Sequence, residues 1–324
     1  MFRNHKINPK AKTEINTGFG TNSSDYGGRY INKKGLPNVE KKGVGYFERI
    51  SFYHILLAMP RWKFFLSIVA FYIAINIIFG SIYYIIGIQE YGGIPTGSSI
   101  KNFWEAFFFS SQSFTIGGYG RINPTNLFVN SLCAIEAFLG LLSLAVVTGL
   151  LYGRFSRPRA YLRFSDNALL APFQNKNAIM FRVAPFKNTS LTDAEVKVTL
   201  GLELEENGRK VNKFYPLSLE YHMINSLALS WTIVHPVIDS SPFYNFSEED
   251  FKNSKGEIIV ILKAFDDMFS NTVISRTSYT LSEIIVGAKF KPMYHKSNEG
   301  NKTLLHLDKL NSFDDAEVKF GGKE

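Results

Sequence analysis

The 324 residues carry a formal net charge of +8 and include 29 Phe and 16 Tyr. A basic, aromatic-rich chain of this length can bury a sizeable core beside a second module, and its charge fits either a nucleic acid or a membrane surface. The single cysteine, Cys133, excludes a disulfide within the chain, and the six histidines are scattered without an HExxH pair.

Residues 1–45 are polar and lack the apolar stretch of a signal peptide, so they read as a cytoplasmic N-terminal segment. Residues 46–60, YFERISFYHILLAMP, mix Phe47, Ile50, Tyr53, Leu56 and Leu57 with Glu48, Arg49 and His54. That mixture predicts an interfacial helix, with Pro60 turning the chain into the membrane. Residues 64–86, FFLSIVAFYIAINIIFGSIYYII, contain no charge and exceed the roughly 20 helical residues that cross a hydrocarbon core of about 30 Å. A buried helix of a soluble protein is rarely apolar around its whole circumference for that length. Leu132–Gly153, with one acid at Glu136, is the second candidate span. Arg61 and Lys63 precede the first span, and Arg154, Arg157 and Arg159 follow the second. Basic residues collect at cytoplasmic span ends, so both termini are expected inside. These five cations are also candidate contacts for anionic lipid, although the positive-inside bias alone accounts for them.

Between the spans, NFWEAFFFSSQSF at 102–114 is too short to cross the bilayer twice. The glycine-rich stretch that follows, TIGGYG at 115–120, permits a re-entrant helix with an irregular return. Irregular backbone at membrane depth belongs where it is buried in protein or lines a wet cavity. A surface loop behind an amphipathic outer helix is the blander alternative. Glu136 then either faces a pore or hydrogen-bonds behind the loop, because exposure to lipid is costly. Gly140 and Gly149 are candidates for bending or for close packing.

After Arg154 the pattern changes. Val196, Val198, Leu200, Leu202 and Leu204 alternate with polar residues, and 179–186, 227–236, 257–265 and 271–280 are further strand candidates. Many short strands with little helix predict a β-sandwich over 158–324, with one short helix or turn at Ser247–Asp250. His235 reads as a structural residue at a strand end, and Asp266 and Asp267 read as a turn. No compact nucleophile, base or metal set points to an enzyme.

GFGTNSSDYGGRYINKKGLPNV at 18–39, AFFFSSQSF at 106–114, LYGRFSRPRA at 151–160, WTIVHPVIDSSPF at 231–243 and SRTSYTLSEIIVGAKF at 275–290 occur in an order that resembles the inward-rectifier potassium channel family, especially its prokaryotic members. The resemblance implies a homotetramer in a bacterial plasma membrane, with two membrane helices and a re-entrant pore helix per chain over 61–157. It also implies an immunoglobulin-like cytoplasmic β-sandwich, K+ as the transported ion held by backbone carbonyls, and no cofactor or nucleic-acid partner.

Thr115, Ile116, Gly117, Gly118, Tyr119 and Gly120 would form the selectivity filter. The family reads Thr-Ile-Gly-Tyr-Gly or Thr-Val-Gly-Tyr-Gly. Without an insertion, Ile116 stands where the family has threonine and Gly117 where it has a branched residue; with one inserted glycine, Thr115 and Ile116 keep their places. The substituted alignment preserves the number of carbonyls. The resemblance also makes Tyr152 a bulky gate, with an interfacial anchor as the alternative, and places a second constriction near Met268–Thr280. A weakly selective cation channel, or a non-conducting membrane binding or scaffold protein, stays open because TIGGYG departs from the family pattern.

Overall fold

The computed structural model describes residues 7–14, 17–18, 29–45, 51–87, 91–93, 97–206, 208–297 and 301–320. Residues 46–50 of the expected interfacial segment, with Phe47, Glu48, Arg49 and Ile50, and residues 19–28 of the N-terminal motif lie outside them. The chain divides into two compact units, Lys42–Arg157 and a second made of Met1–Lys41 with Pro158–Glu324.

The first unit opens with α1, Phe52–Ala58, whose cap Ser51 accepts the His54 N–H at 3.4 Å. Met59 precedes Pro60 and takes extended backbone, φ −61° and ψ 146°, since a residue before proline is pushed out of the helical region. α2, Arg61–Ile86, then runs 26 residues, about 39 Å at the helical rise. β1, Tyr91–Gly92, and α3, Ser99–Phe114, follow. β2, Asn123–Pro124, pairs with β1 and leads into α4, Leu127–Phe155. α3, at 16 residues, reaches only about 24 Å. α2 and α4 are both long and apolar enough to cross a membrane. α4 begins ahead of the apolar run at Leu132 because the Asn126 side chain caps it, accepting the Val129 N–H at 2.8 Å.

Two glycines press α3 between the long helices. A Cβ on Gly80 would lie 2.9 Å from the Phe107 Cα, and one on Gly140 would lie 1.9 Å from the Phe114 carbonyl oxygen. Phe79, Tyr83, Phe109 and Val129 close the core around this junction.

The second unit contains β3 (Leu162–Phe164), β4 (Ala168–Phe173), β5 (Lys176–Pro185), β6 (Leu191–Glu206), β7 (Arg209–Pro216) and β8 (Met223–Ser226). β9 (Trp231–Pro236), α5 (Glu248–Asn253), β10 (Gly256–Asp266), β11 (Asn271–Thr280) and β12 (Ile284–Val286) follow. One sheet has the order β11-β10-β6-β7 with β8 added to β6; the other has the order β12-β4-β5-β3 with β9 added to β5. Their apolar faces share one core, in which Val198, Leu200 and Val260 of the first sheet meet Ile179, Phe181 and Ile233 of the second. Of the expected strand at 227–236, only Trp231–Pro236 is extended, and residues 227–230 form the link from β8. His235 is 1% exposed, with Nδ1 2.7 Å from the Ser218 carbonyl oxygen and Nε2 2.8 Å from Ser241 Oγ. Burial pushes its imidazole down to about 4.

Residues 29–38 fasten to this β unit through polar contacts. The buried Glu257 accepts the Tyr30 and Ile31 N–H groups, and Arg29 donates to the Ser278 carbonyl at 2.7 Å. Glu283 accepts from Arg29 at 3.0 Å and from the Thr280 N–H at 2.9 Å, with Lys33 Nζ 3.1 Å away. Desolvation raises the Glu283 carboxyl, but these donors together outweigh it and hold the group below its ordinary value of 4.5. A carboxylate lowered in this way contributes stability that is present above its unfolded value and lost as pH falls through the folded one. Limited proteolysis against pH should therefore show residues 29–38 loosening under acid. Glu283→Gln should lose that acid step and become cleavable at Arg29 and Lys33 at neutral pH.

Candidate functional site

α3 ends on a tight backbone turn. The Ile116 N–H donates to the Ser113 carbonyl at 3.1 Å, and the Gly117 N–H reaches back to the Gln112 carbonyl at 2.8 Å, the paired bonds of a Schellman cap. The residue in its left-handed position is Ile116, at φ 57°. A β-branched side chain there costs about 1–2 kcal/mol relative to glycine, and such strain concentrates at functional sites. Gly118 at φ 47° and Gly120 at φ 76° continue the left-handed turns. The Thr115 hydroxyl donates to the Ser111 carbonyl at 2.7 Å.

The amides of Ile116 and Gly117 are thus committed to the helix end, while the carbonyls from Thr115 to Tyr119 accept no hydrogen bond from the described residues. Gly120 O accepts from Asn123 Nδ2 at 3.1 Å. Tyr119 is 81% exposed. Five consecutive carbonyls without a donor among the described residues leave a row of open backbone acceptors, the kind of group that is costly unless water, a cation or another chain meets it.

Behind this turn lies a buried polar network. Glu136 is 0% exposed and accepts the Tyr83 hydroxyl at 2.6 Å and the Ser110 hydroxyl at 2.5 Å. Ser110 Oγ also lies 3.1 Å from Asn76 Oδ1, so its single proton serves one of two acceptors at a time. The Asn76 amide donates to the Tyr72 carbonyl at 2.7 Å, and the Tyr72 hydroxyl lies 2.5 Å from Ser111 Oγ. The network joins α2, α3 and α4 at the base of the turn. Thr115–Gly120, Glu136 and Gly140 therefore gather around the C-terminal end of α3. Sequence reasoning named Glu136 but missed Tyr83, Ser110 and Asn76; the only trace of them was polar residues set in otherwise apolar segments.

The remaining candidates lie elsewhere. A Cβ on Gly149 would meet no atom within 4 Å, and Tyr152, near the end of α4, is 74% exposed. Arg154 is committed: it donates to the Leu56 carbonyl at 2.9 Å and to that of Met59, and its guanidinium lies 4.9 Å from the Phe64 ring centre. A cation at those open carbonyls satisfies the end of α1 and ties it to α4. Arg61, Lys63 and Arg157 are exposed, as is Arg159 in the other unit. In the β10–β11 hairpin, Asp266 accepts the Met268 N–H at 3.0 Å and Asp267 accepts the Ser190 hydroxyl at 2.6 Å. Among the described residues no group of three or more His, Cys, Asp or Glu side chains is arranged to hold a metal.

The family model for the inward rectifier potassium channel C-terminal domain matches residues 162–319, which contain both large sheets. Inward rectifier potassium channel Kirbac3.1 of Paramagnetospirillum magnetotacticum is 30% identical over 281 residues, covering 85% of this chain and 92% of that protein. Irk-1 of Caenorhabditis elegans is 24% identical over 295 residues, covering 83% of this chain and 54% of its own length. G protein-activated inward rectifier potassium channel 4 of Homo sapiens is 26% identical over 294 residues, covering 82% of this chain and 68% of its own. With two membrane-length helices, a half-length helix ending on exposed carbonyls and a matched β domain, the chain belongs to the inward rectifier potassium channel family.

Proposed function

We propose that four copies of this chain enclose a passive K+ path in a bacterial plasma membrane, with both termini cytoplasmic. The observation that carries this reading is the run of carbonyls from Thr115 to Tyr119 that accept no hydrogen bond from the described residues, at the end of a helix too short to span. Rings of such oxygens from four chains replace the hydration shell of a cation. In this reading residues 61–157 form the pore domain, 46–60 the interfacial segment, 1–45 a cytoplasmic N-terminal segment and 158–324 the cytoplasmic β domain. Glu136 supports the filter from behind, Gly140 acts as a close-packing glycine and Gly149 as a bending point. Arg61, Lys63, Arg157 and Arg159 contact anionic headgroups, with Arg154 joining α1 to α4. The Met268–Thr280 hairpin supplies a second narrowing.

Weaker K+ selectivity is the second reading, and Ile116 favours it. If Ile116 occupies the usual threonine position, the innermost site lacks its ring of hydroxyls, and the Thr115 hydroxyl is already bonded to Ser111. Purified protein in liposomes should pass K+ or Rb+ with block by Ba2+. A stable monomer with no cation flux across several lipid compositions would contradict the proposal.

Tyr152 is the expected inner gate, where four phenol rings can narrow the path and expel water. Tyr152→Ala should raise flux severalfold in correctly assembled tetramers. Unchanged flux would place the barrier in the filter or in the β10–β11 hairpin.

A further inference from the structure

A cleft of about 570 Å³ lies in the β unit, at the place where residues 29–38 are fastened. Tyr30 and Glu203 of β6 border it, together with the stretch Lys252–Glu257, which runs from the end of α5 into β10, and Ser282 of the turn Leu281–Glu283. The same elements hold the N-terminal segment. Glu257 accepts the Tyr30 and Ile31 N–H groups, and the turn carries Glu283, the acceptor of Arg29. The carboxylates at this cleft are already engaged. Glu257 spends its two oxygens on those backbone N–H groups, and Glu203 Oε1 is shared between Lys255 Nζ at 3.9 Å and Lys210 Nζ at 3.7 Å, both beyond hydrogen-bond length. The donors are not matched in the same way. Lys252 pairs with Glu248 at 2.6 Å, whereas Lys255, its side chain 74% exposed, has that distant share of Glu203. In the same stretch stands Ser254, 9% exposed, whose Oγ makes no hydrogen bond among the described residues.

We propose that this cleft binds a phosphomonoester, with Ser254 donating to a phosphate oxygen and Lys255 supplying the countercharge. A buried hydroxyl without a partner is costly, and an anionic acceptor beside it removes that cost while using the unmatched ammonium. A phosphate group brings close to two negative charges and three acceptor oxygens, so one ligand serves Ser254, Lys255 and the Ser282 hydroxyl together. The volume suits a small organic body as well, since small-molecule sites run to roughly 300–1,000 Å³. Phosphate arrives on a soluble metabolite or on a lipid headgroup, and the chemistry of the cleft is the same for both. Its consequence follows from the lining. A ligand held there ties the link between α5 and β10 to the turn Leu281–Glu283 beside Tyr30, so binding tightens residues 29–38 onto the β unit.

The test digests full-length protein with trypsin and follows cleavage after Arg29 and Lys33. The arms are glycerol 3-phosphate, inorganic phosphate, chloride at the same ionic strength, and nanodiscs with or without phosphatidic acid. Either soluble phosphate should slow both cuts severalfold beyond chloride, whereas slowing by phosphatidic acid alone would assign the phosphate to a lipid headgroup. In both cases Ser254→Ala and Lys255→Gln should weaken the response about tenfold, the effect of losing a contact to a charged partner. Ser254→Ala carries a second readout. Because the hydroxyl it removes is unmet, the variant without phosphate should resist heat as well as the wild type or better. An alanine variant that is less heat-resistant yet keeps the full phosphate response would make the serine structural and overturn the site. Phosphate protection that survives in both variants would overturn it too, as would a wild type protected no better by any phosphate than by chloride. None of these readouts uses ion flux, so the outcome stands apart from that of the conduction proposal.

Discussion

Glu136→Leu should abolish the K+-dependent heat resistance of the assembled protein and its cation flux, whereas Glu136→Gln should retain most of both. Leucine fills similar space but removes the carboxylate that accepts both hydroxyls in a fully buried site, leaving Tyr83 only the weak Cys133 sulfur acceptor at 3.4 Å and Ser110 only Asn76 Oδ1 at 3.1 Å. Losing the strong acceptor of a buried hydroxyl costs about 1–3 kcal/mol, with membrane hydrogen bonds toward the lower end. Glutamine can do more than survive. Its amide donates to Ser110 Oγ, freeing that hydroxyl proton for Asn76 Oδ1, while its carbonyl accepts the Tyr83 hydroxyl. Every member of the chain then has one consistent direction. Heat dissociation of the proposed tetramer on gels, alongside Rb+ uptake, reads the difference. Equal behaviour of the leucine and glutamine variants would remove the network from the account.

Ile116→Thr combined with Gly117→Ile should sharpen K+ over Na+ discrimination by about tenfold, the effect of roughly 1.4 kcal/mol of added differential binding. On the proposed reading of Thr115–Gly120 as the filter, with Ile116 in the usual threonine position, threonine would bring a hydroxyl to the innermost ring, and isoleucine would remove backbone freedom that Gly117 loses when the loop orders. The present cap works against an easy exchange. Ile116 sits at φ 57°, a conformation no more comfortable for threonine, so the variant must rebuild the end of α3 as it gains the ligand. Ile116→Gly is the matched control: it relieves the strain without adding a hydroxyl. If strain alone governs the filter, the glycine variant should match the double substitution. If the ligand governs it, only the double variant gains selectivity. Permeability ratios from the two proteins decide between them.

The parts of the fold visible in the sequence are those whose signal is local. Residues 64–86 are apolar on every side, a pattern few structures besides a membrane span require. β6 announces itself by alternation because one of its faces lies in the shared core, whereas β10 shows as a continuous apolar run, Ile258–Leu262, with Ile258, Val260 and Leu262 in that core and Ile259 buried on the other face beside Tyr30 and Phe214. β3 and β12, three residues apiece, carry no period of their own and exist because they pair with β5 and β4. The same distinction holds at the site. TIGGYG advertises backbone freedom, but glycine at 117 suggests that the left-handed turn sits there, and the structure gives that turn to Ile116. Tyr83 and Ser110 meet Glu136 across 53 and 26 residues, distances over which no spacing rule operates. Arg154 was legible as a charge at a span end. Its commitment to the Leu56 carbonyl depends on how α1 packs against α4.

The central claim is that the carbonyls of Thr115–Gly120 from four chains surround cations on a common axis. The most direct measurement is ion-resolved density of the purified protein in Rb+, using anomalous scattering to identify the ion. The account predicts a four-fold assembly with Rb+ centred between rings of these oxygens and a weakened innermost position beside Ile116. A four-fold assembly whose loop is collapsed and free of Rb+, or an assembly in which these carbonyls point away from any common axis, would contradict it.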